Sequence, residues 1–271
     1  WCQHCVRGCG RSADHKSHVR DDGLPELHMD YCFLGTEGED KETVLVLRER
    51  PHRMTMSSIV PLKGASIEWA VRRVLAFIKE IGLEGQPLVV KADQEPAITS
   101  LIEEIIRRRT ARTFHEQSPV SSSQSNGYVE RAIQTIAGQI RVMLDALESR
   151  VGRPCRSGLR PAVAWLIEYA SVLYNRYSVG ADGKTAHERM RGRKYRMLGF
   201  EFGEKVLWRS SVSSIHRRHK LDSVWSSGVY LGHRTLSGES IVGTPSGVVK
   251  SRSLRRVPLE ERWSYEYLAS L

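Results

Sequence analysis

Up to Phe200, short apolar runs alternate with stretches in which apolar residues recur every three or four positions; beyond it only short runs recur. Residues 27–34, 43–47 and 53–60 read as three successive strands, the last carrying Met54, Met56 and Ile59. The acidic stretch 35–41 between the first two reads as a solvated hairpin tip. Ser66 is placed to cap a helix over 67–81, with Ile67, Ala70, Val71, Val74, Leu75, Ile78 and Ile81 on one face and Gly82 as its stop. Trp69 on that helix is assigned to packing. A strand over 88–93 and a helix over 96–109, opened by Pro96, come next. Residues 111–117 make another strand, after which Pro119, a serine cluster and Gln124-Ser125-Asn126-Gly127 are loop chemistry. A long helix comes after the loop, with Val129, Ile133, Ile136, Ile140, Met143, Leu144 and Leu147 at helical spacing. Val151-Gly152-Arg153-Pro154 breaks it. Pro161 opens another helix over 162–177, with Val163, Leu166, Ile167, Ala170, Leu173, Tyr174 and Tyr177 inward, and residues 189–196 form a basic linker.

That order predicts an α/β sheet with helices packed on it. The later runs at 205–208, 228–231, 240–242 and 247–250, separated by turns such as Thr244-Pro245-Ser246-Gly247, predict a small barrel or sandwich. At 271 residues the chain has room for one core and a smaller module. No apolar run approaches the ~20 residues of a membrane span, and no secretory leader is visible. The chain opens on Trp1 rather than Met, as expected of a fragment or a processed piece. A net charge of +10 supports a polyanionic partner. In the later module Arg217, Arg218, Lys220, Lys250, Arg252, Arg255 and Arg256 surround Trp208, Trp225 and Tyr230. These could hold a phosphate backbone, or the aromatics could be the module's core.

The five cysteines do not form the pattern of a secreted disulfide scaffold, which suggests a reducing compartment. Cys2 and Cys5 form a C-x-x-C pair, half of a tetrahedral zinc site. Three readings stand: His15 and His18 complete it, histidines preceding Trp1 complete it, or the pair binds nothing.

Three acids stand out by context among the 31 in the chain. Asp30 lies inside the strand-like run 27–34, Asp93 ends the run 88–93, and Glu130 opens the long helix. Burying an unpaired acid is costly, so such residues usually have a cation. Glu130 alone would need only the helix dipole to explain it. Near it along the helix lie Arg131, Gln134 and Arg141.

The pieces His28-Met29-Asp30, Lys91-Ala92-Asp93-Gln94-Glu95-Pro96 and Ser118-Pro119 through Gln124-Ser125-Asn126-Gly127-Tyr128-Val129-Glu130-Arg131 resemble the catalytic core of retroviral and LTR-retrotransposon integrases, the D,D-35-E family. Thirty-six residues separate Asp93 from Glu130, one more than that name states. Many relatives have Asn-Gly where this chain has Gln94-Glu95, and retroviral relatives have a lysine where it has Gln134. The segment Lys184-Thr185-Ala186-His187-Glu188-Arg189-Met190-Arg191-Gly192 is similar to the close of the core in copia-type elements. The region from Lys220 to Gly232 resembles, less specifically, the stretch beyond the core in those elements.

The resemblance implies an RNase H-like core over 24–196, with its first and fourth strands side by side, and a small basic β module over 200–262. It also implies that residues 1–23 are the remnant of a zinc-binding module holding Cys2 and Cys5. Asp30, Asp93 and Glu130 would hold two Mg2+ (or Mn2+) ions roughly 3.5–4 Å apart. Water would first trim the element's DNA end, and the exposed 3′-OH would then attack target DNA. Gln124, Asn126 and Gly127 would gate the site and touch nucleic acid, as would Arg131 and Arg141. The implied partners are DNA and further copies of the chain, with a nuclear site of action in a eukaryotic host. An RNase H-like nuclease and a non-catalytic DNA-binding relic are the alternatives.

Overall fold

The computed structural model describes residues 23–35, 41–64, 68–118, 126–155, 159–196, 199–209 and 223–271. Alternation along the first two strands decides how they are buried. In β1 (Glu26–Leu34), Leu27, Met29 and Tyr31 enter one apolar cluster, while Cys32 and Leu34 lie against another. In β2 (Glu42–Glu49), Leu45 and Leu47 join the first cluster and Val44 and Val46 the second. Side chains alternate across a strand, so the sheet is covered on both faces. β3 (Thr55–Ile59) completes the antiparallel meander.

The first face is covered by α1 (Glu68–Glu80) and α2 (Pro96–Arg108), which bury Ala70, Val71, Val74, Phe77 and Ile78, and Ile98, Leu101, Ile102 and Ile105. The expected cap Ser66 and Ile67 lie outside the described residues. β4 (Leu88–Ala92) enters the sheet parallel to β1, and β5 (Thr113–Gln117) enters parallel to β4, giving the order β3-β2-β1-β4-β5. Parallel neighbours need a crossover, and α2 provides the one between β4 and β5.

On the other face lie α3 (Gly127–Val151) and α4 (Arg160–Tyr177). α3 begins before the expected Val129 and runs past Leu147, stopping at Gly152 in the left-handed conformation. Its buried residues are Val129, Ala132, Ile136, Ile140, Met143 and Leu147; Ala132 joins the expected stripe, while Ile133 and Leu144 are only partly buried at its edge. α4 is pressed between the sheet and the second module, so its polar residues are used inward as well. Asn175 accepts a hydrogen bond from the Thr55 N–H at 2.9 Å and donates to the Thr55 carbonyl at 2.7 Å. Tyr177, expected inside, is 50% exposed, because the helix ends there. Trp69 is also largely exposed and donates its indole N–H to the Ile59 carbonyl.

The segment at 184–192 folds as α5 (Ala186–Arg191) for a local reason. Thr185 and Glu188 form a reciprocal capping box, and Gly192 ends the helix in the left-handed region.

The second sheet runs β10-β6-β7-β8-β9, from β6 (Lys205–Arg209), β7 (Trp225–His233), β8 (Ser240–Thr244), β9 (Gly247–Ser251) and β10 (Leu254–Arg256). β10 and a final helix, α6 (Tyr265–Ala269), were not read from the sequence; Leu268 of α6 is buried. The module shares one apolar cluster with α3 and α4 through Phe202, Val206, Tyr230 and Leu231. Gly203, at φ +85°, lies so close to Leu147 that a Cβ would stand 2.5 Å from its methyl carbon. Tyr230 is core and meets Tyr169, hydroxyl to hydroxyl at 3.2 Å, whereas Lys250, Arg252, Arg255 and Arg256 are exposed.

Asn175→Ala would leave the buried N–H and C=O of Thr55 unpaired. It is expected to lower unfolding stability by about 3 kcal/mol, measured by urea denaturation, with little loss at the exposed Tyr177→Ala.

Candidate active site

The register of β1 on β4 brings the first two acids together. Glu26 pairs with Val89 and His28 with Lys91. Two residues further on, Asp30, in the middle of β1, and Asp93, just past the end of β4, fall on the same face, the one covered by α3. The adjacency comes from topology, since the residues lie far apart in the chain. The third acid, Glu130, is exposed in the first turn of α3.

Hydrogen bonds hold the two strand acids. Asp30 accepts from the Tyr31 N–H at 2.7 Å on Oδ1 and from the Asn126 side-chain amide at 3.1 Å on Oδ2. Asp93 Oδ1 accepts from the Glu95 N–H at 3.1 Å. Gln94 donates to the Ser118 carbonyl at 3.0 Å, tying the chain after β4 to the end of β5. Lys63 donates to both carboxylate oxygens of Glu95, at 2.7 and 3.0 Å.

Burial pushes the Asp30 carboxyl up to about 6. The Tyr31 N–H opposes that rise, and the charges of Asp93, Glu95 and Glu130 add to it. Glu95 is thus a fourth acid in the site's field. Among the described residues no three acid, histidine or cysteine side chains are drawn close enough to form a ready metal cage. The donor set nevertheless suits a hard divalent cation: it is made of oxygens, and the neighbouring negative charges raise the cost of ionising Asp30. Asn126 Oδ1 and Ser118 Oγ add buried oxygens without a hydrogen-bond partner among the described residues.

Of the other expected site residues, Gln124, Cys2 and Cys5 lie outside the described residues. Asn126 is buried and turned onto Asp30, and Gly127 is the first residue of α3. Nothing lies within 4 Å of where a Cβ on Gly127 would stand. Arg131 is exposed beside Glu130, whereas Arg141, also exposed, is about 16 Å further along the helix. Glu95, Lys63 and Tyr128 were missed as site residues. The only sequence signal for Glu95 was its place in the departure Gln94-Glu95.

No protein-family model matches the chain. A polyribonucleotide nucleotidyltransferase of Acidiphilium cryptum is 23% identical over 122 residues, 44% of this chain and 16% of that protein, so the chain spans a small part of its length. Among solved structures, a chain of the simian T-cell lymphotropic virus intasome in complex with PP2A regulatory subunit B56 gamma is similar at a TM-score of 0.55 and 12% identity, over 95% of this chain and 87% of that one. The HTLV-2 integrase catalytic core domain, in complex with magnesium in a trimeric form, gives a TM-score of 0.45 at 18% identity, over 62% of this chain and 99% of that one. The fold is integrase-like: an RNase H-like mixed five-stranded sheet with flanking helices, followed by a separate all-β sheet. Among the described residues no helix is long and apolar enough to cross a membrane.

The Asp30 carboxyl gives a signed prediction. Its folded value, about 6, lies above the ordinary 3.8, so the native chain keeps a proton that the unfolded chain releases. The stability this contributes is complete below pH 3.8 and is lost as the pH rises through 6. In metal-free protein, Asp30→Asn is expected to raise Tm by several degrees at neutral pH relative to the parent, with a gain that shrinks toward pH 4. Scanning calorimetry across that range checks it; a difference independent of pH would contradict it.

Proposed function

We propose that this chain is a metal-dependent polynucleotidyl transferase, a retrotransposon integrase that trims the 3′ ends of element DNA and joins them to target DNA. One observation carries the reading. On an integrase-like fold, the acid in the middle of β1, Asp30, is held near pKa 6 by burial and by the charges of Asp93, Glu95 and Glu130. Structural sites rarely gather acids in this way without a cation to answer them.

Asp30, Asp93 and Glu130 are the residues that would hold Mg2+ or Mn2+. When bound, such ions supply the charge that lowers the pKa of an attacking hydroxyl and stabilises a leaving 3′ oxygen. The remaining work falls to the chain itself. Asn126 and the Tyr31 N–H orient the Asp30 carboxyl, and the Glu95 N–H orients that of Asp93. The start of α3 presents Glu130, and the segment 124–127 before it would gate the site. Arg131 is placed for a phosphate next to the reacting bond. Arg141 would be reached only by DNA lying along α3.

The core over 24–196 would carry the chemistry, and the basic face of the module over 200–262 would bind the DNA backbone. The net charge of +10 supports that partner. The reading also includes assembly into homo-oligomers, action in the nucleus of a eukaryotic host, and origin in a retrotransposon polyprotein. Likeness to a chain of a viral intasome supports the assembly.

One observation favours a second reading. The acids do not form a closed cage among the described residues, as would suit a relic that binds DNA without catalysis. A labelled branched DNA separates the readings, because resolving the branch is the reverse of joining and makes the smallest demand on the rest of the chain. With Mg2+ or Mn2+, the parent is expected to resolve the branch and religate the target strand, and Glu130→Gln to lose at least ~10²-fold in rate. Cleavage without religation would indicate a nuclease. No reaction from protein whose circular dichroism shows it folded would indicate the relic.

A further inference from the structure

Tyr128 lies between Asn126, which holds Asp30, and Glu130. Its ring is enclosed by groups from β1, β2 and the turn after β2. The His28 ring lies 4.8 Å from it, centroid to centroid, and the guanidinium groups of Arg48 and Arg50 lie 5.2 and 5.0 Å from its centroid. Its hydroxyl donates to the main-chain carbonyl of Glu49 at 3.1 Å. His28 and Arg48 are direct cross-strand partners, so the ring rests on that pair.

The platform beneath is held in turn. Glu26 Oε2 stands 2.9 Å from His28 Nε2 and 3.0 Å from Arg50 Nε, and Arg48 lies against the Tyr174 ring of α4 at 5.8 Å. Glu26, His28 and Arg48 are all buried. Burial lowers the proton affinity of His28, against the pull of Glu26, and Arg48 and Arg50 are the permanent cations of the group. A buried guanidinium is costly unless partners compensate it, and Arg48 finds the faces of Tyr128 and Tyr174. An aliphatic residue could fill the same volume. It could not give both guanidinium groups an aromatic face or bond the Glu49 carbonyl. The first turn of a helix lacks internal partners for its N–H groups and frays readily, so a fixed side chain there has a large effect on where that turn stands.

We propose that Tyr128 is a positioning residue. Gripped between Arg48 and Arg50 over His28, it fixes the first turn of α3 to β1 and β2 and so sets where Glu130 stands relative to Asp30. The catalytic consequence rests on the functional reading above; the mechanical part does not.

Two readouts on the full chain separate the two. Amide hydrogen exchange of residues 131–134, whose N–H groups bond the carbonyls of the first turn, is expected to quicken at least ~10-fold in metal-free Tyr128→Leu, with amides of β4 and α2 unchanged. Tyr128→Phe, which keeps the ring, should lie near the parent. In branch resolution, Tyr128→Leu is expected to lose kcat by about 10²-fold with KM for DNA unchanged, since small misplacements cost that much, and Tyr128→Phe to recover most of the rate. Unchanged exchange in Tyr128→Leu overturns the clamp. Faster exchange with an unchanged kcat overturns its positioning role. A parent chain that resolves no branch overturns the functional reading and leaves exchange to decide the clamp. Should Tyr128→Leu fail to fold, Arg50→Gln, at the partly exposed side of the ring, carries the same expectations.

Discussion

Negative charge gathered around an acid in the middle of a sheet strand is the constraint to which the rest of this molecule responds. Asp30 sits in the middle of β1, just past the last residue paired with β4, with the charges of Asp93, Glu95 and Glu130 acting on it, and burial and repulsion together hold its carboxyl near pKa 6. Each neighbouring polar group offsets part of that cost. The Tyr31 N–H and the Asn126 amide take one oxygen each, the Glu95 N–H takes Asp93, and Lys63 takes Glu95. The hydrogen bonds orient Asp30 and Asp93 without neutralising them, whereas Lys63 sets its charge against Glu95. The remaining field is one that a divalent cation would answer more fully, which is why the arrangement reads as a site and not as a chance cluster.

Rigidity around that field comes from a sheet covered on both faces. α1 and α2 seal one side with apolar residues, whereas α3 and α4 cover the other together with the second module. Asp30, Asp93, Glu130, His28 and Arg48 lie on the α3 side, so this polar work shares a face with the interdomain packing. Contacts such as Gly203 on Leu147 and Tyr230 on Tyr169 hold the module against helices that also border the site. The exposed arginines of the module are therefore presented from a supported surface.

Much of the fold was legible because periodicity is a local signal. The meander, α1, α2 and the stripe of α3 came from apolar spacing, whereas the Thr185-to-Gly192 segment was marked only by resemblance, and its capping box and helix stop emerged from the structure. Tyr177 was misread because periodicity cannot say where a helix runs out of neighbours. Tyr230 could be core or surface on sequence alone, and the module's packing on Tyr169 decided it. In the site, Asp30, Asp93 and Glu130 were found by context and resemblance, but the pairing of β1 with β4 was not visible in the pattern. Glu95 and Tyr128 escaped notice because their roles depend on Lys63, Arg48, Arg50 and His28, which approach from other elements. Asn126 looked like loop chemistry, and only the fold showed its amide on Asp30.

On the proposed reading, Asp30, Asp93 and Glu130 serve one cation site. Mn2+ binding to the full chain, measured by isothermal titration calorimetry, tests that most directly and does not depend on finding the right DNA. Saturable binding is expected in the parent and is expected to be lost, or severely weakened, in each of Asp30→Asn, Asp93→Asn and Glu130→Gln. Binding that persists unchanged in Asp30→Asn and Glu130→Gln would contradict the shared site.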